Sequence, residues 1–386
     1  MIQTADRLNS VQEYYFSRKL DEIRQMNAAG KDVINLGIGS PDLAPADSVI
    51  DALNVSAQNK NSHGYQSYRS IEELRIAIAD FYKTHFKVSL DPKTEVLPLL
   101  GSKEGVMYIS MAFLNPGDTV LIPNPGYPAY EAVAKMIEAK PARYNLLKDN
   151  NWAPDLKSID PEVVKNAKIM WVNYPNMPTG ADGSKQIFQD LIDFGKENNI
   201  LICNDNPYSF ILNDAPKSIL EQDENKEYCL ELNSLSKAYN MAGWRIGMVS
   251  GNQNYINAIL KVKSNVDSGM FKPVQEAAIA ALKLSKEWIA ENNVVYKRRK
   301  QIAQELLDTI GCTYDENQVG MFVWANNPVG RESEEFIDDI LQKANVFITP
   351  GTIFGSNGEG FVRVSLCSTE EKFRESIDRI KKANIS

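Results

Sequence analysis

The chain has 386 residues, of which 43% are hydrophobic and 24% are charged; this is the balance of a globular protein long enough for two domains. The net charge of -8 argues against a nucleic-acid partner, because phosphate backbones bind to basic surfaces. We find no signal-peptide pattern and no segment near the roughly 20 apolar residues of a membrane span, so we expect a cytoplasmic protein with no membrane partner.

The first predicted elements are an amphipathic helix at 12–30, which ends at Gly30, and a helix at 71–86. Between about 95 and 250, short apolar runs alternate with helical segments such as 185–199. The runs that we interpret as buried strands lie at 119–124, 168–175, 200–205, 228–234 and 244–251. This alternation predicts an α/β domain with a mainly parallel sheet, and ligands of such sheets bind at the carboxyl ends of the strands.

The C-terminal third has a different order of elements. One long helix is predicted at 273–310, after which strands and helices follow without regular alternation. Strands are predicted at 321–326, 346–350 and 361–366, and helices at 333–344 and 369–383. We therefore predict a large domain over 45–275 and a smaller α+β domain over 1–44 and 276–386, with the N-terminal residues as an arm.

Metal chemistry is not expected. The four cysteines, at 203, 229, 312 and 367, are far apart, and the chain has only two histidines. This spacing fits neither a disulfide scaffold nor a structural zinc site, so we predict no metal.

The segment NSLSKAYNMAGWRIGMVSG at 233–251 contains the densest group of functional residue types. Hydroxyls of Ser234 and Ser236, the guanidinium of Arg245 and backbone N–H groups can together bind a phosphate. Lys237 lies among them and can act as an amine nucleophile. A single lysine of this kind is usually a solvated surface residue, but the whole pattern is far more specific.

With this pattern and the motifs below, the chain resembles the class I/II aminotransferases, a family of fold-type I enzymes that depend on pyridoxal 5'-phosphate (PLP). The resemblance covers roughly residues 30 to 380. It implies a mainly parallel seven-stranded sheet covered by helices, plus a smaller α+β domain. It also implies that Lys237 carries PLP as a Schiff base and moves a proton during catalysis, while Ser234, Ser236 and Arg245 bind the cofactor phosphate.

Two further motifs match the family near the ring of the cofactor. In ILICNDNPYSF at 200–210, the resemblance implies that Asp205 pairs with the pyridine nitrogen and that Tyr208 hydrogen-bonds the ring 3-oxygen. An ordinary turn is the alternative, because Asp-Asn-Pro is a common turn sequence. In NPGYPAY at 124–130, Tyr127 matches the aromatic residue that stacks on the ring, although such a residue is often only a packing residue.

The remaining matches concern the phosphate, the substrate and a second subunit. LLGSKEGV at 99–106 resembles the family's phosphate loop, with Ser102 and Lys103 at the matching positions, although glycine turns before helices are common. Tyr65 matches the tyrosine that reaches the phosphate of the neighbouring subunit, which implies a homodimer with shared active sites. Ser70 replaces the usual glycine of that loop.

Arg363 lies in the apolar run FVRVSL, where an unpaired charge is costly to bury. A carboxylate partner would compensate for this cost. The resemblance supplies the substrate α-carboxylate, and a structural ion pair within the protein is the alternative. Gly39, in LGIGSPDL, matches the glycine whose backbone approaches the same carboxylate.

One position departs from the family pattern. Where the family has Asn before Pro-Thr-Gly, this chain has Met177 in NYPNMPTG. Methionine cannot donate a hydrogen bond, so neither the ring 3-oxygen nor the substrate carboxylate can receive one from this residue. We expect the neighbouring Asn176 to point elsewhere, and Tyr208 to bind the 3-oxygen alone.

The expected reaction transfers an amino group between an L-amino acid and a 2-oxo acid. The segment at 262–282 resembles the branch that contains LL-diaminopimelate, alanine and aspartate aminotransferases. A β-lyase on the same scaffold is an alternative, because a fold does not determine the reaction. A PLP-sensing regulator domain is a more distant one. An acidic substrate would need a second cation, for which Lys272 and Arg18 are candidates by position.

Overall fold

The computed structural model describes residues 2–10 and 15–385 of the chain. The α-helices of this part, α1 to α12, are Tyr15–Ala28, Asp47–Gln58, Glu72–Phe86, Ser102–Phe113, Pro128–Met136, Pro161–Asn166, Lys185–Asn198, Gln253–Lys263, Lys272–Leu282, Lys286–Thr309, Ser333–Ala344 and Glu370–Lys382. The strands, β1 to β13, are Ile34–Asn35, Val96–Leu99, Thr119–Asn124, Lys140–Asn145, Ala167–Val172, Leu201–Asp205, Cys229–Ser234, Gly247–Gly251, Thr313–Tyr314, Phe322–Asn326, Val346–Phe347, Thr349–Pro350 and Phe361–Ser365.

A seven-stranded sheet with the order β2-β8-β7-β6-β5-β3-β4 forms the centre of the protein. The five strands from β7 to β4 are parallel, and β8 is antiparallel to both of its neighbours. The apolar strands β6 and β7 are buried along their whole length, as expected for a sheet covered on both faces. The predicted α/β fold with a mainly parallel sheet is therefore confirmed.

Two hydrophobic clusters flank this sheet. One includes Val106 of α4, Tyr130 of α5 and Ile256 of α8. The other includes Phe188 of α7 and Ala277 of α9 and continues into the C-terminal third of the chain. Because both faces are covered, the polar residues that follow the strands are left at the carboxyl edge of the sheet.

The C-terminal third forms a four-stranded antiparallel sheet with the order β12-β13-β10-β9. In this sheet Arg363 of β13 is paired with Trp324 of β10 and Thr349 of β12. The short strand β1 pairs in parallel with β11 and joins the N-terminal part of the chain to this region. The boundaries that we predict for the two domains stay a prediction.

Some predicted elements differ from the observed ones. The predicted helix at 273–310 is two helices, α9 and α10, because Ser285 between them has an extended backbone (φ -73°, ψ 164°); the apolar periodicity continues across the break and could not reveal it. The strand predicted at 244–251 begins only at Gly247, since Arg245 has a left-handed φ of 57°. Residues 12–14 of the first predicted helix lie outside the described residues.

Two strands of the central sheet, β2 and β4, were not predicted. The edge strand β4 is mostly exposed or half-buried, and its sequence, KPARYN, has no clear apolar alternation. The strand β2 has only four residues, one of them Pro98. A four-residue strand is too short to show a period even when it is fully buried, as β2 is, and an exposed edge strand such as β4 has few side chains that must be apolar.

Candidate active site

A cavity of about 610 Å³ lies at the carboxyl edge of the seven-stranded sheet. Eleven of the twelve predicted site residues line it: Gly39, Ser102, Lys103, Tyr127, Asp205, Tyr208, Ser234, Ser236, Lys237, Arg245 and Arg363. A larger groove of about 1060 Å³ runs along α10 and contains none of the twelve. The smaller cavity is therefore the candidate active site, because the groups with a predicted chemical role converge there.

One end of the cavity is suited to an anion. The hydroxyl of Ser234 donates to the hydroxyl of Ser236 over 2.9 Å, and the Ser236 N–H donates back to Ser234 Oγ over 3.1 Å. Ser102 and Lys103 lie in the first turn of α4, where the backbone N–H groups and the helix dipole favour negative charge. Partial burial lowers the pKa of Lys103, and the nearby charge of Arg245 lowers it further, so two cationic side chains lie close together at this end.

Gly101 allows this concentration of charge. It has a φ of +97°, and a Cβ at this position would lie 2.2 Å from Nη2 of Arg245. The guanidinium of Arg245 therefore lies directly over the start of α4, where any side chain at position 101 would displace it.

Asp205 ends β6 in the middle of the sheet and is only 6% exposed. Its Oδ2 accepts a hydrogen bond from the Tyr130 hydroxyl over 3.0 Å. Its Oδ1 is buried and has no hydrogen-bond partner among the described residues. Burial raises the pKa of this carboxyl to about 6, although Tyr130 and the charge of Lys237 act in the opposite direction. A buried carboxylate oxygen of this kind needs a donor, and a protonated ring nitrogen in the cavity would supply one.

Lys237 follows β7 by three residues and projects into the same cavity. Its Nζ donates to the backbone oxygen of Gly39 over 2.5 Å. Burial lowers the pKa of this amine, and the positive charges of Arg363 and Arg245 lower it further. A lowered pKa increases the fraction of neutral amine, which is the form that acts as a nucleophile or a base.

The two predicted tyrosines line the cavity at different places. Tyr208 is 8% exposed, and its ring packs edge-on against Phe322 at 5.8 Å between centroids. Tyr127 precedes α5, and its ring packs edge-on against Tyr130 at 5.5 Å. Tyr130 in turn stacks on Trp171, so the side chain that holds Asp205 is fixed by rings on two sides.

Arg363 is 4% exposed and lies among aromatic rings. Its guanidinium carbon is 4.0 Å from the ring centroid of Phe322, 4.6 Å from that of Phe354 and 5.6 Å from that of Phe16. Its Nη2 donates to the backbone oxygen of Gly37 over 2.8 Å. Aromatic faces and a carbonyl stabilise a buried guanidinium, and its place in the cavity suits it to bind a carboxylate.

Met177 lies against this guanidinium. Its sulfur is 3.2 Å from Nη1 of Arg363, and the residue is 5% exposed. Asn176 points away, as predicted, because its side chain bonds Thr179 and the backbone oxygen of Asn173 within its own turn. The thioether therefore occupies the place where the family pattern has an amide.

Asn173 and Tyr130 both contact Asp205 but were not predicted from the sequence. Asn173 directly follows β5; its Nδ2 donates to the backbone oxygen of Asp205 over 2.5 Å and its Oδ1 accepts from the Met177 N–H over 2.7 Å. It therefore joins the ends of two neighbouring strands. Its position after a buried strand was the available signal, while nothing in NPGYPAY distinguishes Tyr130 from a packing residue.

Position 39 has room only for glycine, because a Cβ there would lie 2.3 Å from the Phe322 ring. The carbonyl of Gly39 contacts Lys237, whereas the carbonyl that contacts Arg363 belongs to Gly37.

Tyr65 is the predicted site residue that does not line the cavity; it is 93% exposed, and its role in a partner subunit stays a prediction. Ser70, at the family's glycine position, has a left-handed φ of 65°, which is the conformation that glycine adopts most easily. The candidate cations Arg18 and Lys272 do not line the cavity of the single chain either.

Within the described part of the chain, no cluster of three or more His, Cys, Asp or Glu residues is arranged to hold a metal ion. None of the helices described is long and apolar enough to cross a membrane.

Fold and cavity together define a protein of the fold-type I class, with a lysine, a buried aspartate and an anion site at one sheet edge. A model of the aminotransferase class I and II family matches residues 31–380. The LL-diaminopimelate aminotransferase of Aquifex aeolicus is 42% identical over 99% of both chains, and that of Halothermothrix orenii is 37% identical over 100% of this chain and 99% of its own.

Among solved structures, substrate-bound BacF from Bacillus subtilis is 37% identical, with a TM-score of 0.95 over 100% of this chain and 98% of its own. The chain belongs to the aminotransferase class I and II family and is an aminotransferase of this PLP-dependent type.

Proposed function

We propose that the cavity binds PLP and that Lys237, Asp205 and Arg363 carry the transfer of an amino group from an L-amino acid to a 2-oxo acid. The observation that carries the proposal is the unpartnered Oδ1 of Asp205, buried at the sheet edge in the same cavity as the Lys237 amine. PLP, when bound, supplies the electron-accepting ring that makes the substrate α-proton acidic.

The phosphate of the cofactor fits the anion end of the cavity. The hydroxyls of Ser234 and Ser236, the guanidinium of Arg245 and the first turn of α4 would hold it, with Lys103 close by. The ring would lie towards Tyr127, with its nitrogen at Asp205 and its 3-oxygen at Tyr208. The pKa of Asp205 is raised by burial, and a cationic ring nitrogen would hold the carboxyl ionised.

Lys237 has two roles in this proposal. Its lowered pKa favours the neutral amine that attaches the cofactor. Nζ would also take up the proton that leaves the substrate α-carbon, because the amine lies within the same buried cavity. Arg363 binds the substrate carboxylate and so holds the α-carbon within reach of Nζ.

We propose that the protein is a cytoplasmic homodimer in which Tyr65 reaches the phosphate site of the neighbouring subunit. The exposure of this aromatic residue, 93% in the single chain, supports the proposal, since tyrosines are enriched at subunit interfaces relative to the rest of the surface. Sedimentation of the protein at several concentrations measures the assembly, and a monomer at all of them would contradict it.

The proposal is tested by reducing the PLP-loaded protein with borohydride, digesting it and locating the modified peptide by mass. We expect the label on Lys237 alone, and its loss in Lys237→Ala. Lys168→Ala, which changes an exposed lysine of β5, is the matched control and should keep the label.

A panel of amino acids that includes LL-diaminopimelate, the substrate in the names of several relatives, is then assayed with a 2-oxo acid acceptor. Label on another lysine, or release of ammonia and pyruvate without an acceptor, would contradict the proposal.

A further inference from the structure

The segment 36–42 contacts both functional cations of the cavity through its backbone. The carbonyl of Gly37 accepts from Arg363 and the carbonyl of Gly39 accepts from Lys237. A backbone oxygen has a fixed position only if the segment that carries it is held at both ends. The way in which this segment is anchored therefore affects the position of both cations.

The first end of the segment is anchored by several hydrogen bonds. Asn35 Oδ1 accepts from the N–H groups of Gly37 and Ile38, and the N–H of Ser365 donates to the Leu36 carbonyl over 2.7 Å. The hydroxyl of Thr349 donates to the Gly37 carbonyl over 3.0 Å. These bonds attach the start of the segment to β12 and β13.

The second end lacks regular structure and is held by Asp42. Both carboxylate oxygens of Asp42 accept from Arg299 of α10, over 2.6 and 2.8 Å. Arg299 is 4% exposed, and its Nη1 also donates to the carbonyl of Leu366, directly after β13. One guanidinium thus joins α10, the end of β13 and the segment 36–42.

A pair of this kind is strong and specific in geometry. A bidentate, charge-assisted bond fixes both partners in orientation as well as distance. Loss of one partner leaves the other charge half-buried or buried without compensation. Neither residue lines the cavity, so any effect of the pair on the reaction must pass through the residues that it holds.

We propose that Arg299 and Asp42 are positioning residues for the substrate-carboxylate site. The pair sets the carbonyls of Gly37 and Gly39 against Arg363 and Lys237 and thereby fixes the guanidinium that receives the carboxylate. This inference rests on the proposed role of Arg363 as the carboxylate anchor. It places a determinant of substrate affinity on α10, outside the cavity.

The test compares Asp42→Asn and Arg299→Met with Arg298→Met, which changes the neighbouring, exposed arginine of the same helix. In the two pair variants we expect the KM for the amino acid and for the 2-oxo acid to rise roughly tenfold, as a small displacement of the groups that bind the carboxylate would produce. The change in kcat should be smaller than the change in KM. Binding of propionate, a carboxylate without an amino group, should weaken in parallel when the broadening of its methyl signal is followed by NMR.

Arg299→Lys keeps the charge without the bidentate geometry and should recover part of the affinity. Arg298→Met should leave all of these quantities unchanged. Pair variants that unfold at a lower temperature but keep both KM values and propionate binding would overturn the inference, because the pair would then be purely structural. If Arg299→Met does not fold, the nearly isosteric Asp42→Asn decides. An unchanged KM in Arg363→Lys would instead contradict the proposed carboxylate role of Arg363, so the two failures are distinguishable.

Discussion

Two regions of the cavity are built in different ways. The sheet-edge region, formed by Asp205, Ser234, Ser236, Lys237 and Arg245, consists of residues at or after the ends of the adjacent strands β6 and β7, within 41 positions of the chain. The Arg363 region brings Gly37 and Met177 together with Phe322, Phe354 and Arg363 of the C-terminal third, and Gly37 and Arg363 are 326 positions apart. The first region is organised by hydrogen bonds and charge, and the second by rings around a buried cation. We therefore expect changes in the first to act mainly on turnover and changes in the second mainly on substrate affinity.

The largest effect is expected from Asp205→Asn in the sheet-edge region. An amide cannot hold a ring nitrogen protonated, so kcat should fall by roughly two orders of magnitude or more with a smaller change in KM. Steady-state kinetics with saturating PLP measure this. Asp193→Asn, on the exposed face of α7, is the control. A kcat within about threefold of the wild type would refute the assigned role of Asp205.

The same variant has a second, pH-dependent consequence in the cofactor-free protein. Asp205 has a pKa of about 6 in the folded state against an ordinary 3.8, so burial of its charge costs stability as the pH rises from about 4 through 6. Above pH 6, cofactor-free Asp205→Asn should be more stable than the wild type by roughly 1–3 kcal/mol. Below pH 4 this gain should vanish. Chemical denaturation at pH 4 and pH 8 checks the sign, and a gain confined to the lower pH would contradict it.

In the Arg363 region, Arg363→Lys should raise the KM for both substrates by roughly 30-fold. A lysine keeps the charge but loses the planar fork that binds a carboxylate at two points and stacks on rings. Arg374→Lys, on the exposed face of α12, serves as the control. If kcat fell while KM stayed constant, the contrast between the two regions would be wrong.

The smallest effect is expected from Met177→Asn. This change restores an amide donor beside Arg363, and we expect KM for the amino acid to fall by roughly three- to tenfold, the value of one added hydrogen bond. Titration of the visible absorbance of the PLP-loaded protein should also shift, because the ring 3-oxygen gains a donor. Met111→Asn, at a 48% exposed methionine of α4, controls for the substitution itself. Unchanged KM and an unchanged titration would show that position 177 does not contact either group.

Most of the fold could be predicted from the sequence because its signals are local. Buried parallel strands are short, continuous apolar runs, and β3, β5, β6 and β7 were found in this way. The edge strand β4 and the break between α9 and α10 were missed, because an exposed strand and a two-helix corner leave no periodic trace. The antiparallel direction of β8 depends on chain connections that no strand pattern encodes.

The sequence by itself determined the sheet-edge region, since strand ends that lie close in the chain are placed side by side by the geometry of a parallel sheet. The roles of Lys237, Asp205 and the serine pair came from the resemblance of their motifs to the family, and the geometry of the sheet explains why these residues lie together. Only the tertiary structure decided what surrounds Arg363: the rings of Phe322 and Phe354, the carbonyl of Gly37 and the sulfur of Met177. The bond between Arg299 and Asp42 likewise joins residues 257 positions apart. Contacts between distant segments follow from how whole elements pack, and no local pattern of side chains specifies that packing.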